Sequence, residues 1–163
     1  MKVIFLDIDG VLNSNFWNDT HQREISDGTL IDEEKVMLLG QLIRNTSAKV
    51  ILHSGWKFWF DSEVKPLRRE AERLISMLEK EGIKVNGVTP DHTTEEIRKS
   101  KKFSLVKASE ILAWVSQYDN IKKWIVIDDL DLHNEEIRKH QILTDASIGL
   151  TVENICEAER LLL

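Results

Sequence analysis

The sequence predicts an α/β fold in which helices cover both faces of a parallel sheet. Short apolar runs without polar alternation occur at residues 3–6, 50–52 and 124–127, and such runs are typical of strands buried on both sides. Segments with apolar residues at helical spacing separate these runs. Strands and helices that alternate in this way form three layers, with the strands parallel in the middle layer.

The first half of the chain is predicted to contain two strands and one helix. The first strand covers residues 2–7, and the polar, irregular stretch 12–30 predicts a flap or loop. Apolar residues at helical spacing then predict a helix over about residues 32–45. A second strand follows at residues 49–53.

The second half continues the alternation. An apolar stripe from Val64 to Leu78 predicts a helix that ends near Gly82, and residues 83–88 predict a strand. Residues 89–103 are polar and predict a loop. The remaining predicted elements are a helix with apolar residues from Leu105 to Val115, a strand at 124–128, a short helix at 133–139, a short strand at 141–143 and a terminal helix capped by Thr151.

Composition limits the class of protein. A length of 163 residues favours one domain spanning 1–163, and 42% hydrophobic residues can build a sizeable core. A net charge of −6 argues against a broad surface that coats nucleic acid, although one local basic patch remains compatible with binding a strand end.

Cys156 is the only cysteine, so no intramolecular disulfide can form. No apolar run reaches membrane-spanning length, and because the sequence opens with the first strand we expect no signal peptide. We therefore expect a cytoplasmic protein with no membrane partner and no obligate protein partner.

Polar side chains follow three of the predicted strands. Asp7 and Asp9 follow the first, Ser54 follows the second, and Asp128 and Asp129 end the third. The carboxyl ends of parallel strands meet at one edge of a sheet, where such folds bind ligands. Paired carboxylates at the end of an apolar strand are tolerable when a cation lies between them, and hard oxygen ligands favour magnesium. Taken alone, an Asp-x-Asp-Gly turn or a serine at a strand end is also common without any function.

These motifs resemble those of the haloacid dehalogenase-like (HAD) hydrolase superfamily, which consists mostly of phosphatases. The first motif is Phe5-Leu6-Asp7-Ile8-Asp9-Gly10, the second is Ser54, and the fourth is Asp128-Asp129. More narrowly, the stretches DGVLNS, S-x-W, KASEILAW and LTDASIGLT are similar to stand-alone relatives of the HAD phosphatase domain of bacterial RNA-repair (Swiss Army Knife) proteins. The resemblance covers nearly the whole chain.

The resemblance implies a role for each motif residue. Asp7 would be the nucleophile, and Asp9 would protonate the leaving group and then activate water. Mg²⁺ would be held by Asp7, the backbone carbonyl of Asp9 and Asp128, with Asp129 as a ligand or as a partner of one. Ser54 would donate a hydrogen bond to the phosphate.

The third motif is a basic residue at the start of a helix, and Lys107 fits that position, with Lys102 as the alternative. Superfamily members often carry an inserted cap domain. Here the insertion after the first motif is short, and the segment between the second and third motifs holds elements that the core needs anyway. We therefore expect a Rossmann-like fold that is capless or has a minimal cap.

Several residues around the motifs have two interpretations. Trp17, Trp56 and Trp59 could surround the site and stack on a base, or they could pack in the core, which for Trp56 is at least as good an interpretation. Lys57 could meet a second phosphate. His53 is expected to be a core histidine with a satisfied hydrogen bond.

The leading functional hypothesis is a magnesium-dependent phosphatase that forms an aspartyl-phosphate. Its substrate would be a phosphorylated molecule, with a nucleotide or a nucleic-acid end ranked first through the RNA-repair resemblance. The alternatives are a phospho-accepting signalling domain and a catalytically silent binding protein on the same fold. Asp9 argues against a signalling domain, which needs no acid two residues after the phosphorylated aspartate.

Overall fold

A computed structural model describes residues 1–15 and 21–163. Its main sheet has five parallel strands in the order β5-β4-β1-β6-β7, and a separate antiparallel hairpin pairs β2 with β3. The strands are β1 (Lys2–Leu6), β2 (Gln22–Ser26), β3 (Thr29–Asp32), β4 (Lys49–Leu52), β5 (Val85–Val88), β6 (Lys123–Asp128) and β7 (Gln141–Leu143).

The helices connect and cover these strands. They are α1 (Glu33–Thr46), α2 (Arg69–Lys80), α3 (Glu95–Ser100), α4 (Phe103–Ser116), α5 (Glu135–Arg138) and α6 (Val152–Leu162), together with a 3₁₀ helix at Gly55–Trp59. Side-chain caps fix several of their starts. Asp32 accepts a hydrogen bond from the Glu34 N–H at the start of α1, and Thr151 forms a capping box with Asn154 at the start of α6.

Alternate residues of the central strands face opposite helical layers. Ile4 and Leu6 of β1 pack in the core that α1, α2 and α6 cover. Val3 and Phe5 pack on the other face, in the core to which α4 and α5 contribute. The predicted three-layer, Rossmann-like architecture is therefore confirmed. The strand β1 is an uninterrupted apolar run because both faces of the sheet are buried.

Three segments differ from the sequence prediction. The predicted flap contains the β2–β3 hairpin. Helix α2 begins at Arg69 rather than at Val64, because the backbone of Val64 is left-handed (φ 62°) and Phe60 forms an isolated bridge with Pro66. The predicted loop 89–103 contains α3, whose first turn is capped by Thr94.

The strand order determines where in the fold a ligand-binding crevice lies. The chain moves from β1 to β4 and β5 on one side, and then returns to place β6 and β7 on the other side of β1. This reversal leaves a crevice at the carboxyl ends of β1 and β6, which is where open α/β sheets bind ligands. In the part of the chain that the structure describes, no helix is both long enough and apolar enough to span a bilayer.

Candidate active site

Three carboxylates meet at the carboxyl ends of β1 and β6. Asp7 follows β1, and its N–H donates to the Ile127 carbonyl across the sheet at 3.0 Å. Asp128 ends β6 and is completely buried, and Asp129 follows it. One carboxylate oxygen from each of the three lies within 4.8 Å of the others. This spacing would allow all three to contact a single ion.

Lys107 supplies the cation beside this cluster. Its Nζ atom reaches from α4 to 2.8 Å from Asp128 Oδ2 and 3.6 Å from Asp7 Oδ2. Lys102, the alternative, occupies the exposed position just before α4. The structure therefore brings Lys107, of these two lysines, to the carboxylates.

The described residues do not balance the charges in this cluster. Burial and the neighbouring Asp128 carboxylate raise the pKa of Asp7 well above its usual range. Burial and Asp128 also raise the pKa of Asp129. For Lys107, burial works to lower the pKa, but the attraction of Asp7 and Asp128 outweighs it and the pKa is raised. One ammonium beside three clustered carboxylates leaves an excess of negative charge, which fits a hard divalent cation.

Gly10 lets the chain turn tightly against Asp129. Its φ angle is +80°, and a Cβ atom at this position would lie 2.5 Å from Asp129 Oδ2. The Gly10 carbonyl accepts a hydrogen bond from Thr144 Oγ1 at 2.8 Å, so the loop is also held from β7. A side chain at position 10 would displace Asp129 from the cluster.

Ser54 follows β4, the strand that pairs with β1 on the side opposite β6. It is buried and begins the 3₁₀ helix, where its Oγ atom accepts the Trp56 backbone N–H at 3.2 Å. The His53 N–H, one residue earlier, donates to the Leu6 carbonyl and keeps this segment against β1. Because the Ser54 oxygen acts as an acceptor here, its hydroxyl proton can be donated to a ligand.

The comparison with protein families agrees with this geometry. Residues 3–155 match the family described as the HAD domain in Swiss Army Knife RNA repair proteins. The chain belongs to this HAD family. Phosphatase-type hydrolase chemistry is general in the family, and HAD proteins generally use Mg²⁺. No curated protein matches the chain.

In this HAD chain the Asp9 side chain is not part of the three-carboxylate cluster. It is exposed, and its two oxygens accept hydrogen bonds from Trp56 Nε1 at 3.1 Å and from Asn13 Nδ2 at 2.9 Å. The contacts of Trp56 and Asn13 with Asp9 were not foreseen from the sequence. The only sequence signals for them are that Asn13 lies four residues after Asp9 and that Trp56 lies two residues after Ser54.

Lys57, three residues after Ser54, behaves differently from the sequence expectation. Lys57 is buried, and its Nζ atom lies 2.8 Å from Glu110 Oε2 and 2.9 Å from the Pro90 carbonyl oxygen. Its charge is therefore paired within the protein, and the idea that it meets a second phosphate is wrong.

His53 is fully buried, as expected, and its polar neighbours are the Ile127 backbone and the Asp128 carboxylate. Among the described residues, neither of its ring nitrogens makes a hydrogen bond of good geometry. Its Nε2 atom lies 3.5 Å from Asp128 Oδ2. Burial lowers the pKa of His53 to about 3, so the ring is neutral at physiological pH.

A cavity of about 660 Å³ opens beside Asp9. The hairpin turn and the two tryptophans of the 3₁₀ helix form its walls, and its lining includes Asp9, Asn13, Leu30, Trp56, Trp59 and Asp129. The Trp56 and Trp59 rings pack together with centroids 4.8 Å apart, and the Arg68 guanidinium lies 4.6 Å from the centre of the Trp59 ring. Trp17 lies outside the described residues.

Proposed function

We propose that this chain is a magnesium-dependent phosphatase that forms an aspartyl-phosphate on Asp7. The observation that carries the proposal is the placement of Asp7, whose carboxylate is grouped with those of Asp128 and Asp129 and lies 3.6 Å from Lys107 Nζ. A carboxylate nucleophile needs positive charge beside it before it can approach an anionic phosphate, and this group can supply that charge.

The ligands for the metal would be Asp7, Asp128 and the backbone carbonyl of Asp9, with Asp129 as a ligand or as a partner of one. Three clustered carboxylates with the Lys107 ammonium beside them support this assignment. When bound, a divalent ion would neutralise phosphate charge and orient the phosphoryl group.

The residues of the chain would then divide the reaction into two steps. An Asp7 oxygen attacks phosphorus, the bond to the leaving oxygen breaks, and that oxygen takes the proton from Asp9. In the second step Asp9 takes a proton from a water whose oxygen attacks the same phosphorus. Inorganic phosphate leaves and the Asp7 carboxylate is restored. Lys107 and the Ser54 hydroxyl would hold the non-bridging phosphate oxygens throughout.

The leaving group would occupy the cavity beside Asp9, because the proton donor must reach the leaving oxygen. The partly exposed indole ring of Trp59 in its wall suits a planar base, whereas Trp56 is a buried core residue. The family's description as a domain of RNA repair proteins points in the same direction. We therefore propose nucleotides or polynucleotide ends as the substrate class.

A phosphatase screen with Mg²⁺ tests this proposal. It would compare mononucleotides, 3′- and 5′-phosphorylated oligonucleotides, sugar phosphates and phosphopeptides. We expect phosphate release with the highest kcat/KM for a nucleotide or oligonucleotide. If no phosphoester is hydrolysed, the proposed function is wrong; if sugar phosphates are hydrolysed equally well, only the nucleic-acid substrate class is wrong.

A further inference from the structure

The two oxygens of the Asp9 carboxylate are held by different side chains. Oδ2 accepts the indole N–H of Trp56 at 3.1 Å, and Oδ1 accepts an N–H of the Asn13 amide at 2.9 Å. These donors come from the 3₁₀ helix after β4 and from the loop after β1, so the carboxylate is held between two separate parts of the chain.

Trp56 has little freedom to move. Its side chain is 4% exposed, its ring packs on Trp59, and its backbone N–H is bound by Ser54 Oγ at 3.2 Å. Ser54, the proposed phosphate ligand, therefore caps the short helix that carries the donor to Asp9, and the position of Trp56 depends on that of Ser54.

The amide of Asn13 is also fixed. Its Oδ1 atom accepts the Gly10 N–H at 2.9 Å, and its Nδ2 atom donates to the Leu30 carbonyl at 3.0 Å as well as to Asp9. A flipped amide would place its oxygen against both the Asp9 carboxylate and the Leu30 carbonyl. This arrangement joins Asp9 to the β2–β3 hairpin that forms one wall of the cavity.

Among the described residues, the two side-chain groups that hydrogen-bond to Asp9 can only donate. The indole N–H has no acceptor capacity, and the Nδ2 group of an amide has none either. When Asp9 carries a proton, neither partner can accept it, so that proton is left to point into the cavity beside it. We propose that Trp56 and Asn13 are positioning residues that aim the proton of Asp9 at the leaving oxygen. This inference rests on the proposed function.

Leaving groups of different basicity separate this role from a structural one. An alkoxide must be protonated as it departs, whereas a dinitrophenolate departs readily without a proton. Trp56→Phe keeps an aromatic ring but removes the N–H. We expect Trp56→Phe to lower kcat/KM for an alkyl phosphate such as glycerol phosphate by about tenfold or more. The same variant should lower kcat/KM for dinitrophenyl phosphate by less than about threefold.

Trp124→Phe is the matched control. Trp124 is also a buried tryptophan, but it lies near the amino end of β6, at the opposite edge of the sheet from Asp9. We expect this variant to keep the wild-type ratio of kcat/KM values for the two substrates. Asn13→Ala, which removes the other donor, should show the same selective loss as Trp56→Phe and serves if the latter fails to fold.

Asp9→Asn separates the two proposals. If Asp9→Asn hydrolyses glycerol phosphate as fast as wild type, the proposed function of Asp9 fails. If Asp9→Asn is impaired on that substrate while Trp56→Phe and Asn13→Ala lose equally on both substrates, or lose nothing, the positioning role alone is overturned.

Discussion

The buried carboxylate of Asp7 combines the chemical role proposed for it with an electrostatic cost. It is only 6% exposed and lies beside two other carboxylates, which raises its pKa well above the usual range. Lys107 offsets part of this repulsion from one side. The same crowding that disfavours the ionised group without metal would make it a good ligand and nucleophile when a divalent cation is bound.

Replacing Asp7 should therefore have opposite effects on activity and stability. Asp7→Asn should abolish phosphate release, because an amide cannot attack phosphorus effectively. Removing one charge from the cluster should stabilise the metal-free protein by on the order of 1 kcal/mol, which is about 2–4 °C in Tm for a chain of this size. Phosphate release and calorimetry in chelator measure the two effects. Near wild-type turnover by Asp7→Asn would contradict the mechanism.

Lys107 and Lys102 provide a matched pair of substitutions on one segment. Lys107→Ala removes the ammonium beside Asp7 and Asp128, and we expect a loss of about 2–4 kcal/mol in transition-state stabilisation, comparable to the loss of an oxyanion donor. Lys102→Ala removes an exposed charge before α4 and should change kcat/KM little. The reverse ranking, measured on one phosphoester, would move the phosphate-binding role to Lys102.

At the scale of elements, a buried ion pair joins the second motif to α4. Lys57 on the 3₁₀ helix and Glu110 on α4 are 2.8 Å apart with side chains 5% and 3% exposed. Glu110 lies three residues after Lys107 on the same helix, and its Oε2 atom also accepts the His92 N–H. The pair therefore fixes the helix that presents Lys107 relative to the segment that presents Ser54.

Breaking this pair should destabilise the protein strongly. Glu110→Gln leaves the Lys57 ammonium buried without a carboxylate, and we expect a loss of about 3 kcal/mol in the free energy of unfolding. Glu136→Gln is the control, since the pair of Glu136 with Lys139 at 2.9 Å lies at the surface and its loss should change the free energy of unfolding little. Urea unfolding measures both. Equal losses would contradict the structural role of the buried pair.

The elements differ in how far the sequence predicts them. Strands β1, β4 and β6 are predicted because burial on both faces leaves an uninterrupted apolar run. The β2–β3 hairpin was missed because its first strand, QREIS, is mostly polar. The Asp27-Gly28 pair at its turn is nevertheless a sequence signal for a hairpin. Both residues have positive φ angles in the structure, as an Asp-Gly hairpin turn requires.

The same contrast holds for the site. The positions of Asp7 and Asp128 follow from a general rule, because the carboxyl ends of adjacent parallel strands converge. The contact of Trp56 with Asp9 spans 47 residues and depends on how the 3₁₀ helix directs its side chains, which no local pattern encodes. The burial of Lys57 was likewise unpredictable, since its partner Glu110 lies on a distant helix.

At the scale of the whole molecule, the proposed site depends on a metal held between strands. The fold places hard oxygen ligands on both β1 and β6, so the ion would join the two halves of the sheet.

Chelation should abolish activity, Mg²⁺ should restore it, and Ca²⁺ should bind but inhibit because its looser geometry misplaces the nucleophile. Mg²⁺ at a hundredfold excess over its Kd should stabilise the fold by about 2.7 kcal/mol. Activity that survives complete chelation would contradict the site as proposed.

The phosphoenzyme is the species that tests the central claim most directly. Wild-type protein would be mixed with Mg²⁺ and its best substrate, quenched in acid within milliseconds to seconds, and reduced with borohydride, which converts an aspartyl-phosphate to homoserine. Peptide mass spectrometry should find homoserine at position 7, appearing and decaying with turnover. A long-lived phosphate on Asp7 without turnover would indicate a phospho-accepting signalling domain, and homoserine at position 9, 128 or 129 instead of 7 would contradict the assignment of the nucleophile.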